Sequence, residues 1–166
     1  EFRRVLFRSW DIRSFRLERE IKTVDDKLAP LYEASNPDLT AFQRRGGKLI
    51  LYHGWSDPAI PPMSTINYYE SVMKKMGRAS AQNFTRLYMV PGMQHCGGGP
   101  GPTQFNAFAA LEQWVEQNKA PAEILARHET NGKVDRTRPL CPYPQEAKYK
   151  GTGSTDDAAN FVCAAP

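Results

Sequence analysis

Residues 46–58 read GGKLILYHGWSDP and give the clearest indication of local structure in the chain. Its apolar run, Lys48–His53, is short and lies between glycines, which is typical of a buried strand. Apolar side chains then recur at helical spacing from Ile66 to Met76, and Ser64 or Thr65 is a suitable N-cap. The pattern predicts a strand, a loop and a helix in that order.

The same unit follows a second time. Phe84–Val90 (FTRLYMV) predicts a strand, and a glycine-rich loop extends from it to Gly101. A second helix is predicted over 103–118, with four apolar residues on its inner face: Phe105, Phe108, Leu111 and Val115. Strands that alternate with helices at these lengths predict the α/β class with a parallel sheet, whose core is residues 44–120.

The two ends of the chain differ from this core. Residues 1–9, EFRRVLFRS, are basic and resemble a translated sequencing adaptor, so we interpret them as non-native; a native basic helix end is the alternative. Residues 10–29 have helix-like spacing, and with either interpretation of residues 1–9 we expect the native protein to begin upstream of this chain. Residues 10–166 are thus predicted to be one partial domain. From residue 121 to 166, proline, glycine and polar residues dominate, which predicts an irregular, extended tail laid over the core.

Composition narrows the functional classes. The 166 residues are 40% hydrophobic and 24% charged, which is a globular balance. The net charge is +4, but residues 1–22 hold seven basic and four acidic side chains and so account for +3 of it. The rest of the chain lacks the basic face of a nucleic-acid-binding protein. No apolar run approaches the roughly 18 residues that cross a bilayer, and no signal peptide is visible.

Two loops carry the residues suited to chemistry. Asp57 directly follows the first strand, and His95 follows the second. Because the carboxyl ends of parallel strands meet at one edge of a sheet, we expect these side chains to converge. An acid followed by a histidine is the second half of the Ser…Asp…His order of α/β-hydrolases, in which the acid orients the histidine that moves the serine's proton.

The nucleophile of such a triad is not evident. No GxSxG elbow occurs, and neither Ser56 nor Ser154 has an elbow's surroundings. Of the other histidines, His53 is expected to support the loop of the acid, and His128 is given no role. Trp55, Ile60 and Pro62 are candidates to line a substrate pocket, with packing as the alternative role.

The three cysteines give no metal site. Cys96, Cys141 and Cys163 form no CxxC pair, and no Cys/His spacing suits zinc. An odd number leaves one cysteine without an internal partner if the other two pair, which favours a secreted protein with disulfide bonds. Cys141 and Cys163 are 22 residues apart and could close the tail into a loop.

Three long motifs resemble the tannase/feruloyl esterase family. They are GGKLILYHGWSDP (46–58), MVPGMQHCGGGPGP (89–102) and RPLCPYPQEAKYKGTGSTDDAANFVC (138–163). The resemblance covers about residues 30–166 and implies the C-terminal portion of an α/β-hydrolase parallel sheet. It also implies that the serine elbow and an inserted lid lie N-terminal to this chain.

The resemblance further assigns the residues. It implies that Asp57 is the catalytic acid and His95 the base, and that Cys141 and Cys163 form a disulfide. Cys96 matches a cysteine that pairs with one beside the serine, in the missing N-terminal half of the same protein. The family's calcium site lies in the lid, so we expect no cofactor and no metal bound to this chain.

The combined interpretation is the C-terminal part of a secreted or periplasmic serine carboxylesterase. Its substrates are aromatic acid esters of galloyl or feruloyl type, and it is inactive alone because the nucleophile is missing. We expect no nucleic-acid or membrane partner. The alternatives are a non-catalytic α/β binding module, a peptidase of the same fold, and a family member that hydrolyses terephthalate monoesters.

Overall fold

Two parallel strands form the centre of the unit that spans residues 37–166. The computed structural model describes residues 11–166. In it, β1 is Leu49–Gly54 and β2 is Thr85–Val90, paired in parallel from Leu49 opposite Thr85 to Gly54 opposite Val90. Five of the six residues of β2 are buried, as a strand covered on both faces requires. The two strands run parallel, as predicted, and their carboxyl ends lie side by side.

The connection between the strands covers one face of the pair. Helix α3, Pro62–Met76, begins two residues before the predicted N-cap, because proline at the first helical position already has a helical φ and lacks only an N–H that would be unpaired. Its buried side chains are spaced three or four apart, and a short helix, α4 (Arg78–Gln82), follows. These helices pack with β2 in one cluster: Ile66, Tyr69, Val72, Met73, Ala81, Phe84, Leu87 and Met89.

The helix after β2 buries a different face from the predicted one. Helix α5 is Ala107–Gln117, capped by the Asn106 side chain, which accepts from the N–H of Ala109 at 2.9 Å. Its buried residue is Trp114, whereas Phe108 is 69% exposed. Trp114 has the Lys48 ammonium 5.3 Å and the Arg86 guanidinium 5.0 Å from its ring. The spacing of apolar residues along the helix does not predict a contact of this kind, because it depends on basic side chains from other parts of the chain.

Residues 121–166 are more regular than predicted. Strands β3 (Ile124–Thr130) and β4 (Lys133–Leu140) form an antiparallel hairpin, and β5 (Glu146–Tyr149) pairs with β6 (Phe161–Ala164). The hairpin turn is Asn131-Gly132, with φ of 52° and 74°, which is the conformation that Asn-Gly favours. The prediction of an irregular tail was therefore wrong in these four strands. Only two residues of β3 and two of β4 are buried, so these strands lack the sustained apolar alternation that predicts a strand.

The hairpin covers the second face of β2. A second cluster joins β2 and the loop after it to the hairpin: Tyr88, Val90, Met93, Ile124, Ala126 and Leu140. The Tyr88 hydroxyl donates to the carbonyl of Pro121 at 2.7 Å. A disulfide joins Cys141, just after β4, to Cys163 in β6, with a Cα–Cα distance of 5.4 Å. The C-terminal strands are thus fixed to the strand that ends at the candidate site.

The N-terminal segment is a separate unit. The chain divides into two compact units after Asn36. The first contains α1, Leu17–Tyr32, and the second begins with a short helix, α2, Thr40–Arg44. The adaptor-like residues 1–9 lie outside the described residues. Within residues 11–166, no helix combines the length and the hydrophobicity needed to cross a membrane.

Candidate active site

The loops at the ends of β1 and β2 bring Asp57 and His95 together. Nδ1 of His95 lies 2.8 Å from Oδ2 of Asp57. The two residues are 38 positions apart in the chain, so the contact exists only because the parallel strands place their following loops at one sheet edge.

The Asp57 carboxylate is almost fully buried and held on both oxygens. Its side chain is 4% exposed, and Oδ1 accepts from the N–H groups of Ala59 at 2.8 Å and Ile60 at 3.0 Å. Burial by itself raises the pKa of this carboxyl. The hydrogen bonds from the Ile60 N–H, His95 and the Ala59 N–H outweigh it and hold the pKa well below its ordinary value. Asp57 is therefore an anion throughout the neutral range.

The His95 ring is oriented by that anion. Because Nδ1 faces a carboxylate, Nδ1 carries a proton, and Nε2 has the free lone pair in the neutral imidazole. The His95 side chain is 52% exposed, and the described part of the chain gives Nε2 no hydrogen-bond partner. A buried acid and an accessible ring nitrogen together can accept a proton from a group placed against Nε2.

Close backbone packing fixes the two loops to each other. The N–H of Ser56 donates to the carbonyl of Met93 at 3.0 Å, and the N–H of Trp55 donates to that of Val90 at 3.0 Å. A Cβ on Gly54 would lie 2.2 Å from the Met93 carbonyl oxygen, so only glycine fits there. The glycine thus permits the distance at which the acid and the histidine meet.

The other sequence candidates have mixed positions. Trp55 and Ile60 are 47% and 45% exposed beside the acid, which leaves them free to contact a substrate rather than pack in the core. Trp55 also lines a cavity of about 620 Å³ that reaches Arg138 and Tyr143, but neither Asp57 nor His95 lines it. The cavity is therefore beside the acid–histidine pair and not at it.

The remaining candidate residues are two serines and the free cysteine. Ser56 lies in the Asp57 loop, and Ser154 lies between β5 and β6, where its Oγ accepts from a backbone N–H. Cys96, next to His95, is a free and exposed thiol with a φ of 59°. Across residues 11–166, no three His, Cys, Asp or Glu side chains are grouped so that they could hold a metal ion.

Sequence reasoning missed a second acid–histidine pair. On the β3–β4 hairpin, His128 Nδ1 lies 2.6 Å from Oδ1 of Asp135, and the Thr130 hydroxyl donates to Oδ2 at 2.6 Å. These two hydrogen bonds, first that from Thr130 and then that from His128, lower the pKa of the Asp135 carboxyl. The residues are seven positions apart across a turn, and the Asn-Gly dipeptide between them was the available signal.

Comparison with known proteins shows which family the chain belongs to. The sequence profile of the tannase and feruloyl esterase family matches residues 7–164. The chain belongs to the tannase and feruloyl esterase family. It is therefore part of a group of carboxylic ester hydrolases, and the resemblance noted from three motifs is confirmed.

Individual relatives agree with this assignment. The chain is 51% identical over 136 residues to a mono(2-hydroxyethyl) terephthalate hydrolase of Piscinibacter sakaiensis, covering 80% of this chain and 22% of that protein. It is 43% identical over 167 residues to an uncharacterized esterase of Xanthomonas campestris, covering 82% and 29%. The crystal structure of feruloyl esterase B from Aspergillus oryzae superposes with a TM-score of 0.81 at 28% identity, covering 98% of this chain and 36% of that one. The α/β-hydrolase type of fold is thus confirmed, and the chain spans between a fifth and two fifths of the relatives' length.

Proposed function

We propose that this chain supplies the acid and the base of a serine carboxylesterase. The observation that carries the proposal is the 2.8 Å contact between a buried, ionised Asp57 and an exposed His95 whose Nε2 has no hydrogen-bond partner among residues 11–166. Membership in a family of ester hydrolases makes acyl transfer the reaction that this pair serves.

The proposed reaction needs a serine from outside this chain. His95 Nε2 accepts the proton of the serine hydroxyl as its oxygen attacks the ester carbonyl, and then donates that proton to the departing alcohol. In the second half of the reaction, His95 Nε2 accepts a proton from water as the water oxygen attacks the acyl-serine ester, and then donates that proton to the departing serine oxygen. Asp57 stays ionised throughout, holds the imidazole in one tautomer and stabilises the imidazolium.

Cys96 has a proposed structural part in the full-length protein. The family resemblance pairs it with a cysteine beside the serine. Its exposed, unpaired thiol directly after His95 supports this. Such a disulfide would hold the two Cα atoms within about 4.4–6.8 Å and so would fix the nucleophile close to its base.

The proposed substrates are esters of aromatic acids. Galloyl and feruloyl esters are the first candidates, because the family profile and the superposed structure carry those names. Terephthalate monoesters are the second, favoured by the 51% identity to a mono(2-hydroxyethyl) terephthalate hydrolase. The exposed Trp55 and Ile60 beside the acid offer apolar surface for an aromatic ring.

The remaining parts of the proposal concern partners and location. We expect no cofactor, no metal on this chain, and no nucleic-acid or membrane partner. Export to the periplasm or the medium is supported by the Cys141–Cys163 disulfide, since such bonds persist in oxidising compartments.

The test is hydrolysis by the full-length enzyme that contains these residues. Methyl gallate, methyl ferulate and mono(2-hydroxyethyl) terephthalate are compared as substrates, and the 166-residue chain alone should hydrolyse none of them. His95→Ala should lower kcat on the order of 10⁴- to 10⁶-fold. The matched control, His128→Ala, removes the other histidine of an acid–histidine pair and should leave kcat unchanged. Equal losses in the two variants, or turnover by the chain alone, would contradict the proposal.

A further inference from the structure

His53 is a nearly buried histidine that the proposed reaction does not use. It is the fifth residue of β1, its side chain is 11% exposed, and it lies four residues before Asp57. Both of its ring nitrogens have partners, so its orientation is fixed.

The surroundings of the ring determine where one proton lies. Nε2 is 3.2 Å from the carbonyl oxygen of Ile60 and 3.2 Å from Oδ2 of Asp57. Both oxygens are only acceptors, so Nε2 must carry a proton in either protonation state of the ring. On the other side, Nδ1 lies 2.6 Å from the hydroxyl of Thr65, in the first turns of α3.

This arrangement fixes the turn that holds the acid. Asp57 Oδ1 binds the N–H of Ile60, and the Nε2–H of His53 binds the carbonyl of that same residue. Ile60 is thus held on both of its backbone polar groups. The same Nε2–H places partial positive charge 3.2 Å from Oδ2, the oxygen that also contacts His95. Rotation of the carboxylate away from His95 would lose this contact.

We infer that His53, anchored by Thr65, is a positioning residue that keeps Oδ2 of Asp57 directed at His95. The inference rests on the proposed function and deepens it. In this role His53 takes no part in the proton transfer and acts only through Asp57. A base whose orienting acid shifts by about 1 Å loses on the order of 100-fold in rate without losing the substrate's binding surface.

The first experiment uses the full-length esterase and two substitutions. His53→Phe keeps an aromatic ring, although a larger one, and removes both nitrogens, and it should lower kcat about 10- to 100-fold with KM within about twofold. His53→Gln places an amide N–H where Nε2 lies and should restore most of kcat. His128→Phe is the matched control and should change neither constant. Equal losses in His53→Phe and His53→Gln would overturn the inference, because restoring the N–H would then have no effect on the rate.

A double-mutant cycle separates positioning from general structure. If His53 acts through Asp57, adding His53→Phe to Asp57→Asn should cost less than about twofold more, measured on an activated aryl ester. A full, additive loss in the Asp57→Asn background would overturn the inference.

Thr65 gives a route that spares the ring. Thr65→Val removes the hydroxyl at constant shape and should lower kcat several-fold, whereas Thr65→Ser should not. This pair decides the matter if His53→Phe fails to fold, since equal activity of the two Thr65 variants overturns the inference. An inactive wild-type enzyme would overturn the proposed function and the inference together. An active wild type that is indifferent to His53→Phe would overturn the inference alone.

Discussion

The two histidine–aspartate pairs that are joined through Nδ1 in residues 11–166 have similar N–O distances, 2.8 Å and 2.6 Å, and opposite patterns of side-chain exposure. At the sheet edge, the Asp57 side chain is 4% exposed and that of His95 is 52% exposed. On the hairpin, the Asp135 side chain is 42% exposed and that of His128 is 25% exposed. A proton-transfer pair needs a fixed acid and an accessible base, and only the sheet-edge pair has both. A short acid–histidine distance is therefore a poor guide to function unless burial is considered with it.

The pairs also differ in how the chain builds them. Asp57 and His95 are 38 residues apart, and the loop after β1 donates backbone hydrogen bonds to the end of β2 and the loop that follows it. His128 and Asp135 are seven residues apart, on facing strands of one hairpin. The second pair is a cross-strand contact, of the kind that stabilises a hairpin locally. The Asp57–His95 pair, in contrast, depends on the tertiary structure, and it is not explained by the stability of any local element.

The largest expected difference between the pairs is in catalysis. In the full-length esterase, Asp57→Asn should lower kcat on the order of 10⁴-fold, because an amide can hold His95 in the wrong tautomer and cannot stabilise the imidazolium. Asp135→Asn, the same chemical change on the hairpin, should leave kcat within about twofold. Steady-state kinetics on one aromatic ester checks both. A comparable loss in Asp135→Asn would mean that burial does not separate the two pairs as argued.

Glycine substitutions test the backbone of the same two regions. Gly54→Ala puts a Cβ 2.2 Å from the Met93 carbonyl oxygen and must displace one loop from the other. We expect about a 100-fold loss of kcat and a free energy of unfolding lower by about 1–3 kcal/mol. At Gly132, a Cβ meets nothing within 4 Å, and only its φ of +74° opposes alanine.

Gly132→Ala should therefore lower the free energy of unfolding by about 1 kcal/mol and leave kcat unchanged. Urea denaturation measures both variants, and the kinetic assay separates them. A loss of kcat in Gly132→Ala, or none in Gly54→Ala, would contradict the claim that loop-to-loop contact sets the acid–histidine distance.

The strands and the site residues were accessible from the sequence for a simple reason. Lys48–His53 and Phe84–Val90 differ from β1 and β2 by one residue or less at each end, because both runs are mostly apolar and the glycines and prolines beside them mark where the strands end. Once the strands are parallel, the residues that follow them must share an edge. The approach of Asp57 to His95 follows from that topology without any knowledge of distance.

Other features, namely the C-terminal strands, the buried face of α5 and the contacts of His53, depend on information that local sequence patterns do not contain. Strands β3 and β4 have only two buried residues each, so their sequences do not show the sustained apolar alternation that predicts a strand. The buried face of α5 is decided by Trp114, which is packed under Lys48 and Arg86 from distant strands. The hydrogen bond from His53 Nε2–H, beside Asp57, forms only because the turn after β1 brings the carbonyl of Ile60 back to His53.

The smallest expected effect is on stability in acid. Folding lowers the pKa of both Asp57 and Asp135 relative to the ordinary value of 3.8. Below 3.8, the unfolded chain binds more protons than the folded one until the folded pKa is reached, so each carboxylate stabilises the fold above about pH 4, and that contribution is lost as the pH falls through the folded pKa. Asp57→Asn and Asp135→Asn should each lower Tm at pH 7 and approach the wild-type Tm as the pH is lowered toward 2. Because Asp57 has the larger shift and its side chain is buried, its curve should converge at the lower pH. Thermal melts between pH 2 and 7 measure this, and a Tm difference independent of pH in either variant would show that the lost contribution is packing rather than charge.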